Sequence, residues 1–234
     1  MIPLERVGYR DGEVELTGLL ARPWPKPRAA VILFPTIANQ NDAVERRAEM
    51  LADAGFLALV ADFYGFNPGP DAMFEAAEPL RADAEVFRKR LRPAVARMRE
   101  IAGDETPLAA IGYCLGGQAA LEIARDGADL AAAVSFHGLL GTHKPAGPGS
   151  IRGRILVCHG DADPLAPRSD VMAFWEEMDR AGADWHFHSY GKVRHGFTDP
   201  LSDERDMDAV AYDASADRQS WAAMTSLFDE LFPD

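Results

Sequence analysis

The stretch GYCLGG, residues 112–117, sets Cys114 among three glycines at the end of the apolar run PLAAIGY. A buried structural thiol needs no such glycines, each of which costs backbone entropy on folding. A nucleophile on a sharp strand-to-helix turn does need them, because the turn leaves no room for side chains two residues before it and two after. Gly112, Cys114 and Gly116 have that spacing, and the helical run QAALEIA follows. The amino-terminal dipole of such a helix, aimed at Cys114, favours the thiolate.

A nucleophile of this kind needs an acid and a base, in the chain order nucleophile, Asp, His. After the apolar run RILVCHG comes DADPLAP, with Asp161 and Asp163 near a strand's carboxyl end. Active sites of open α/β sheets form at that edge. Asp163 is read as the acid that orients the base, and Asp161 as a turn former. Among six histidines, His195 in RHGFTDP has the right order, in a loop after the last strand. His186 and His188 share one strand face but lack a third ligand at a metal-binding spacing, so no metal site is expected. His137 and His159 end strands and line the site at most, and His143 lies in a polar loop.

The elements that must position these groups follow from periodicity. AAVILF (29–34), FLALVAD (56–62), PLAAIGY (107–113), LAAAVSF (130–136) and RILVCHG (154–160) read as strands covered on both faces, with DWHFHSY (184–190) as a more polar sixth. GEVELTGLLARP alternates like an antiparallel edge strand. Phe87, Leu91, Val95, Met98 and Ile101 recur at helical spacing, as do Val171, Phe174, Trp175 and Met178, and later Trp221, Met224, Phe228 and Leu231. Pro93 predicts a kink or split in the first of these helices. Strands alternating with helices predict a mostly parallel α/β sheet with helices on both faces, in one domain over residues 1–234. The aspartate-rich segment 199–217 has no clear period and reads as a solvated loop, or as a flap beside the site.

Composition narrows the partners. A net charge of −13 repels phosphate backbones and anionic lipids, so neither nucleic acid nor membrane is an expected partner. No signal peptide or bilayer-crossing run is expected, and two cysteines, Cys114 and Cys158, read as free thiols of a cytoplasmic protein.

With GYCLGG, HGDADPLAP and HGFTDP in this order, and AYDASADRQSWAAM as the last helix, the chain resembles the dienelactone hydrolase family over essentially its whole length. The resemblance implies an α/β-hydrolase fold and a Cys-Asp-His triad carried by Cys114, Asp163 and His195. It also implies cofactor-free hydrolysis of esters or lactones, of the carboxymethylenebutenolidase type. Two positions depart from the family pattern. FPTIAN places Thr36 where the family's type enzyme has a glutamate that accepts the thiol proton, and Asp199 stands near where that enzyme has a substrate-binding arginine. Arg81 resembles its other substrate arginine.

The expected mechanism is attack by the Cys114 thiolate to give a thioester, then hydrolysis by water activated at His195. The backbone N–H groups of Leu115 and Ile37 are the expected oxyanion donors. The substrate is expected to be a small-molecule ester or lactone, and the protein a monomer or small homo-oligomer. A thioesterase on the same fold, or a non-catalytic binding protein that keeps it, are the alternatives.

Overall fold

The computed structural model describes residues 3–233. Among them, one eight-stranded sheet carries six α-helices. In chain order the elements are β1 (Glu5–Asp11), β2 (Val14–Ala21), β3 (Ala29–Phe34), α1 (Asp42–Asp53), β4 (Phe56–Val60), α2 (Met73–Ala82), α3 (Ala84–Ala102), β5 (Leu108–Tyr113) and α4 (Leu115–Arg125). There follow β6 (Ala132–Phe136), β7 (Arg154–Gly160), α5 (Arg168–Ala181), β8 (Trp185–Tyr190), a 3-10 turn (Pro200–Glu204) and α6 (Ala214–Leu231).

The sheet order is β1-β2-β4-β3-β5-β6-β7-β8. The strands from β4 to β8 in this order pair in parallel, and β1 and β2 add an antiparallel margin. Every residue of β3, β4, β5 and β6 is buried, which explains their unbroken apolar sequence. Alternate residues serve two cores. Ile32, Ala110 and Val157 face the side of α3, α4 and α5, while Val31, Ile111 and Leu156 face the side of α1 and α6.

Two expectations are corrected. GEVELTGLLARP is not the edge: β1, in a charged amino-terminal stretch, pairs outside β2, and its mostly exposed residues leave no apolar run to read. Pro93 does not split its helix, since α3 runs unbroken for 19 residues from an Asp83 cap whose side chain accepts from the N–H groups of Glu85 and Val86. Burial of Phe87, Leu91, Ala94 and Met98 on one face outweighs the lost backbone bond.

Beneath the sheet's carboxyl edge, a buried charge network fixes one loop. Arg88 of α3, Glu122 and Arg125 of α4 and Glu177 of α5 form a chain of ion pairs with side chains at most 8% exposed. Their remaining groups hold the backbone after β6: Arg88 donates to the Lys144 carbonyl, Arg125 to that of Leu140, and Glu177 accepts the Ala146 N–H.

Candidate active site

Thr36, Cys114, His137, Asp163 and His195 all follow the carboxyl ends of strands, β3, β5, β6, β7 and β8 respectively. The parallel sheet therefore brings together groups far apart in the chain. Cys114 is the cap of α4 with φ 56° and ψ −117°, a strained conformation for a residue with a side chain. Its neighbours explain the glycines. A Cβ on Gly112 would stand 2.0 Å from the Gly116 carbonyl oxygen, and one on Gly116 would stand 2.0 Å from that of Phe34. The second contact seats the start of α4 against the end of β3, beside the loop that carries Ile37.

His195 is 4% exposed, and its Nδ1 lies 2.7 Å from Asp163 Oδ2. Asp163 is itself held, its other oxygen accepting the Leu165 N–H at 2.8 Å. Nε2 of His195, buried and without an oxygen or nitrogen partner, faces the sulfur of Cys114. Burial alone would discharge both groups, yet each favours the other's charge. The Cys114 thiol is pulled below its ordinary pKa, against burial, by His195 and by the N–H groups of Leu115 and Ile37 that point at the sulfur. Against its own burial, His195 is raised to about 10 by Cys114 and Asp163. The arrangement favours a thiolate and an imidazolium together. Asp161 is elsewhere, in a two-pronged pair with the exposed Arg168.

Sequence reasoning placed His137 at a strand end lining the site without giving it a role, and did not single out several other supporting groups. His137, also at positive φ, accepts the Cys114 N–H on Nδ1 at 3.1 Å. Its proton therefore sits on Nε2, which donates to Thr198 Oγ1 at 2.8 Å, and burial first of all holds the ring neutral. The loop after β3 is pinned by Asn39, whose side chain donates to Asp62, Phe66 and Asn67 and accepts from the Phe63 N–H. Tyr64 completes that brace, its hydroxyl donating to the Ile37 carbonyl at 3.1 Å. The only sequence signal for these was their place just after buried strands.

Segment 199–217 is ordered against the site and is not simply solvated. Ser202 is buried and donates to the Gly196 carbonyl, bracing the His195 loop. Asp199 is paired with Arg205, and it is Arg205, with Met207 and Val210, that lines the pocket over Cys114. Arg81, in the last turn of α2, lines the same pocket. Thr36 borders the space behind the sulfur with His137 and Arg47, and accepts the Ala38 N–H. His186 and His188 are exposed, and no metal-holding cluster occurs among the described residues.

Two measurements check these placements. Cys158 is fully buried and its thiol is pushed by burial up to about 12. A limiting dose of iodoacetamide at neutral pH is expected to modify Cys114 on the order of a hundred times faster, read by peptide mass mapping. Equal labelling would show the Cys114 thiol unactivated. Tyr64→Phe is expected to loosen the Ile37 donor and slow Cys114 alkylation roughly three- to tenfold at neutral pH. An unchanged rate would show that the loop holds Ile37 without the hydroxyl.

No helix among the described residues is long and apolar enough to cross a membrane. The model of the dienelactone hydrolase family matches residues 16–232. The chain is 36% identical to a dienelactone hydrolase-like promiscuous phosphotriesterase from metagenomic libraries, whose crystal structure aligns over 99% of each chain with a TM-score of 0.90. A probable 2-oxo-3-(5-oxofuran-2-ylidene)propanoate lactonase of Bradyrhizobium sp is 30% identical over 227 residues, covering 90% of this chain and 87% of the relative. An uncharacterized protein of Caenorhabditis elegans is 38% identical over 150 residues, 62% of this chain and 94% of its own length. With its mostly parallel sheet and strand-to-helix turn at Cys114, the chain has the α/β-hydrolase fold and belongs to the dienelactone hydrolase family.

Proposed function

We propose that the protein hydrolyses ester or lactone bonds through the thiolate of Cys114. The observation that carries this reading is the meeting, at one strained turn, of an activated thiol, a His195–Asp163 pair and two N–H groups aimed at the sulfur. The thiolate attacks the carbonyl carbon, and the oxygen takes up its charge between the N–H groups of Ile37 and Leu115. One such donor typically supplies about 3 to 4 kcal/mol of transition-state stabilisation. Imidazolium at His195 protonates the departing oxygen, leaving a thioester and a neutral imidazole. Water then enters, gives its proton to His195, and attacks the thioester. Collapse returns the thiolate and releases the acid.

A thiolate leaves a tetrahedral intermediate more readily than an ordinary alkoxide. Prompt protonation by His195, or a stabilised enolate or phenolate leaving group, is what carries the reaction forward. Enol lactones and aryl esters are therefore the favoured substrates, and the similarity to a probable lactonase supports the lactone side of this class. Arg81 provides positive charge, and Arg205 a guanidinium already paired with Asp199, in a mostly apolar pocket that includes Ile37, Met73, Leu139 and Val210, which suits a substrate with an anionic group near the scissile bond.

Rapid mixing with an excess of an aryl ester is expected to release a burst of phenol equal to the enzyme present, absent in Cys114→Ala. Binding without a burst or turnover would leave a binding protein on a hydrolase fold. A second reading, cleavage of phosphotriesters, is favoured by the 36% identity to a promiscuous phosphotriesterase. An aryl dialkyl phosphate in the same assay tests it.

A further inference from the structure

The pocket over Cys114 and His195 measures about 90 Å³, too small by itself for a ligand of ordinary size. Beside it lies a cleft of about 980 Å³ between α2, α4 and the loop after β6. It has apolar walls at Phe74 and Phe87 and the carboxylates Asp71, Glu75, Glu78 and Asp170 around them, a mixed lining that suits a chain carrying hydroxyl or amide groups. Pocket and cleft share the walls Phe74, Arg81, Gln118, Leu139 and Leu165, so a molecule held at Cys114 extends from one into the other. The cleft has a definite side. His195 borders the small pocket and not the cleft, and the leaving oxygen must face His195. With the leaving oxygen turned to His195, the opposite half of the substrate, its acyl chain, is the part free to run past Gln118 and Leu139 toward the cleft.

Gln118 stands at the neck. It is four residues beyond Cys114 on α4, one helical turn on the same face, and its own N–H donates to the Cys114 carbonyl. Its side-chain oxygen is buried without a hydrogen-bond partner, although the residue as a whole is only half-buried. A buried amide oxygen left unpaired at the junction of a catalytic pocket and a cleft is costly to the free protein, and an O–H or N–H donor on a ligand relieves that cost.

We propose that the cleft receives an extended acyl chain and that Gln118 hydrogen-bonds a hydroxyl or amide group on it. The proposal rests on the ester-hydrolase reading above and names its substrate class: esters or lactones whose acyl part is long and carries a polar group. The loop that forms the far wall is the one the Arg88–Glu122–Arg125–Glu177 network holds down, so the cleft is a built feature of the fold.

The test uses 4-nitrophenyl esters, which keep the leaving group constant while the acyl part changes from acetate through a series of alkanoates and their ω-hydroxy counterparts. In the wild-type protein kcat/KM is expected to rise with chain length. At one length the hydroxyacyl ester should exceed its hydrocarbon match by roughly 3- to 10-fold. Gln118→Leu should bring that ratio to about one. Thr142→Trp, on the cleft wall away from the small pocket, should lower the ratio of the longest ester to acetate. Each comparison is internal to one enzyme, so a general loss of activity cannot imitate it. The proposal fails if no hydroxyacyl ester outperforms its match, if the advantage survives Gln118→Leu, or if Thr142→Trp leaves the length ratio unchanged. Absence of any Cys114-dependent turnover of the acetate would instead overturn the hydrolase reading.

Discussion

Asp163→Asn is expected to lower turnover of an activated ester by about four orders of magnitude while the protein stays folded. Asp163 Oδ2 accepts from His195 Nδ1 at 2.7 Å, which fixes the proton on Nδ1 and leaves Nε2 to exchange protons with Cys114 and the leaving oxygen. An amide in that place can turn its NH2 to the ring, put the proton on the wrong nitrogen and remove the negative charge that stabilises imidazolium. His195→Ala should be at least as severe. Asp161→Asn, two residues away, should change turnover little, because Asp161 is committed to Arg168 at the surface. Single-turnover kinetics, with circular dichroism to monitor folding, read all three. A crippled Asp161→Asn beside an active Asp163→Asn would move the acid by two residues.

What could be read from the sequence, and what could not, follows from how local each signal is. β3 and β7 were readable to the residue because both faces are buried and the apolar run has sharp ends. The turn at Cys114 was readable because steric exclusion of Cβ atoms at Gly112 and Gly116 leaves a fixed spacing in the chain. Arg205 was not readable. The sequence places Asp199 four residues after His195, and only the path of the chain through the 3-10 turn brings Arg205 to the pocket and turns Asp199 into its partner. Gln118 and Tyr64 were equally silent, and His137 could be read only as a strand-end residue lining the site, since side chains beside buried strands look like packing until their hydrogen bonds, or the lack of them, are known. Such groups act through distances set by tertiary structure, which no local pattern encodes.

The pH dependence of Cys114 alkylation gives the sharpest test of how the thiol is activated without a carboxylate at Thr36. A thiol at its reference pKa is only a few per cent ionised at pH 7. Here the thiol is lowered and His195 raised to about 10, so thiolate and imidazolium coexist from the depressed thiol pKa up to about pH 10. Alkylation of the free protein is therefore expected to persist below neutral pH and to fall only as pH drops through the thiol pKa. It should not fall on the alkaline side, where the thiolate remains, whereas ester turnover should decline there as His195 loses the proton it must donate. His195→Ala removes the cation and leaves burial, the largest influence on the thiol, opposed only by the N–H groups of Leu115 and Ile37. The alkylation curve should then move to or above that of an ordinary thiol, with the rate at pH 7 reduced by more than about tenfold. Thr36→Glu should also move the curve upward, since an anion in the space shared with Cys114 and His195 disfavours thiolate and competes for the proton. A wild-type curve that matches an ordinary thiol and is unmoved by His195→Ala would rule out a resting ion pair. Activation would then have to come from the substrate, whose carbonyl oxygen draws the electron pair of sulfur only once it lies between Ile37 and Leu115.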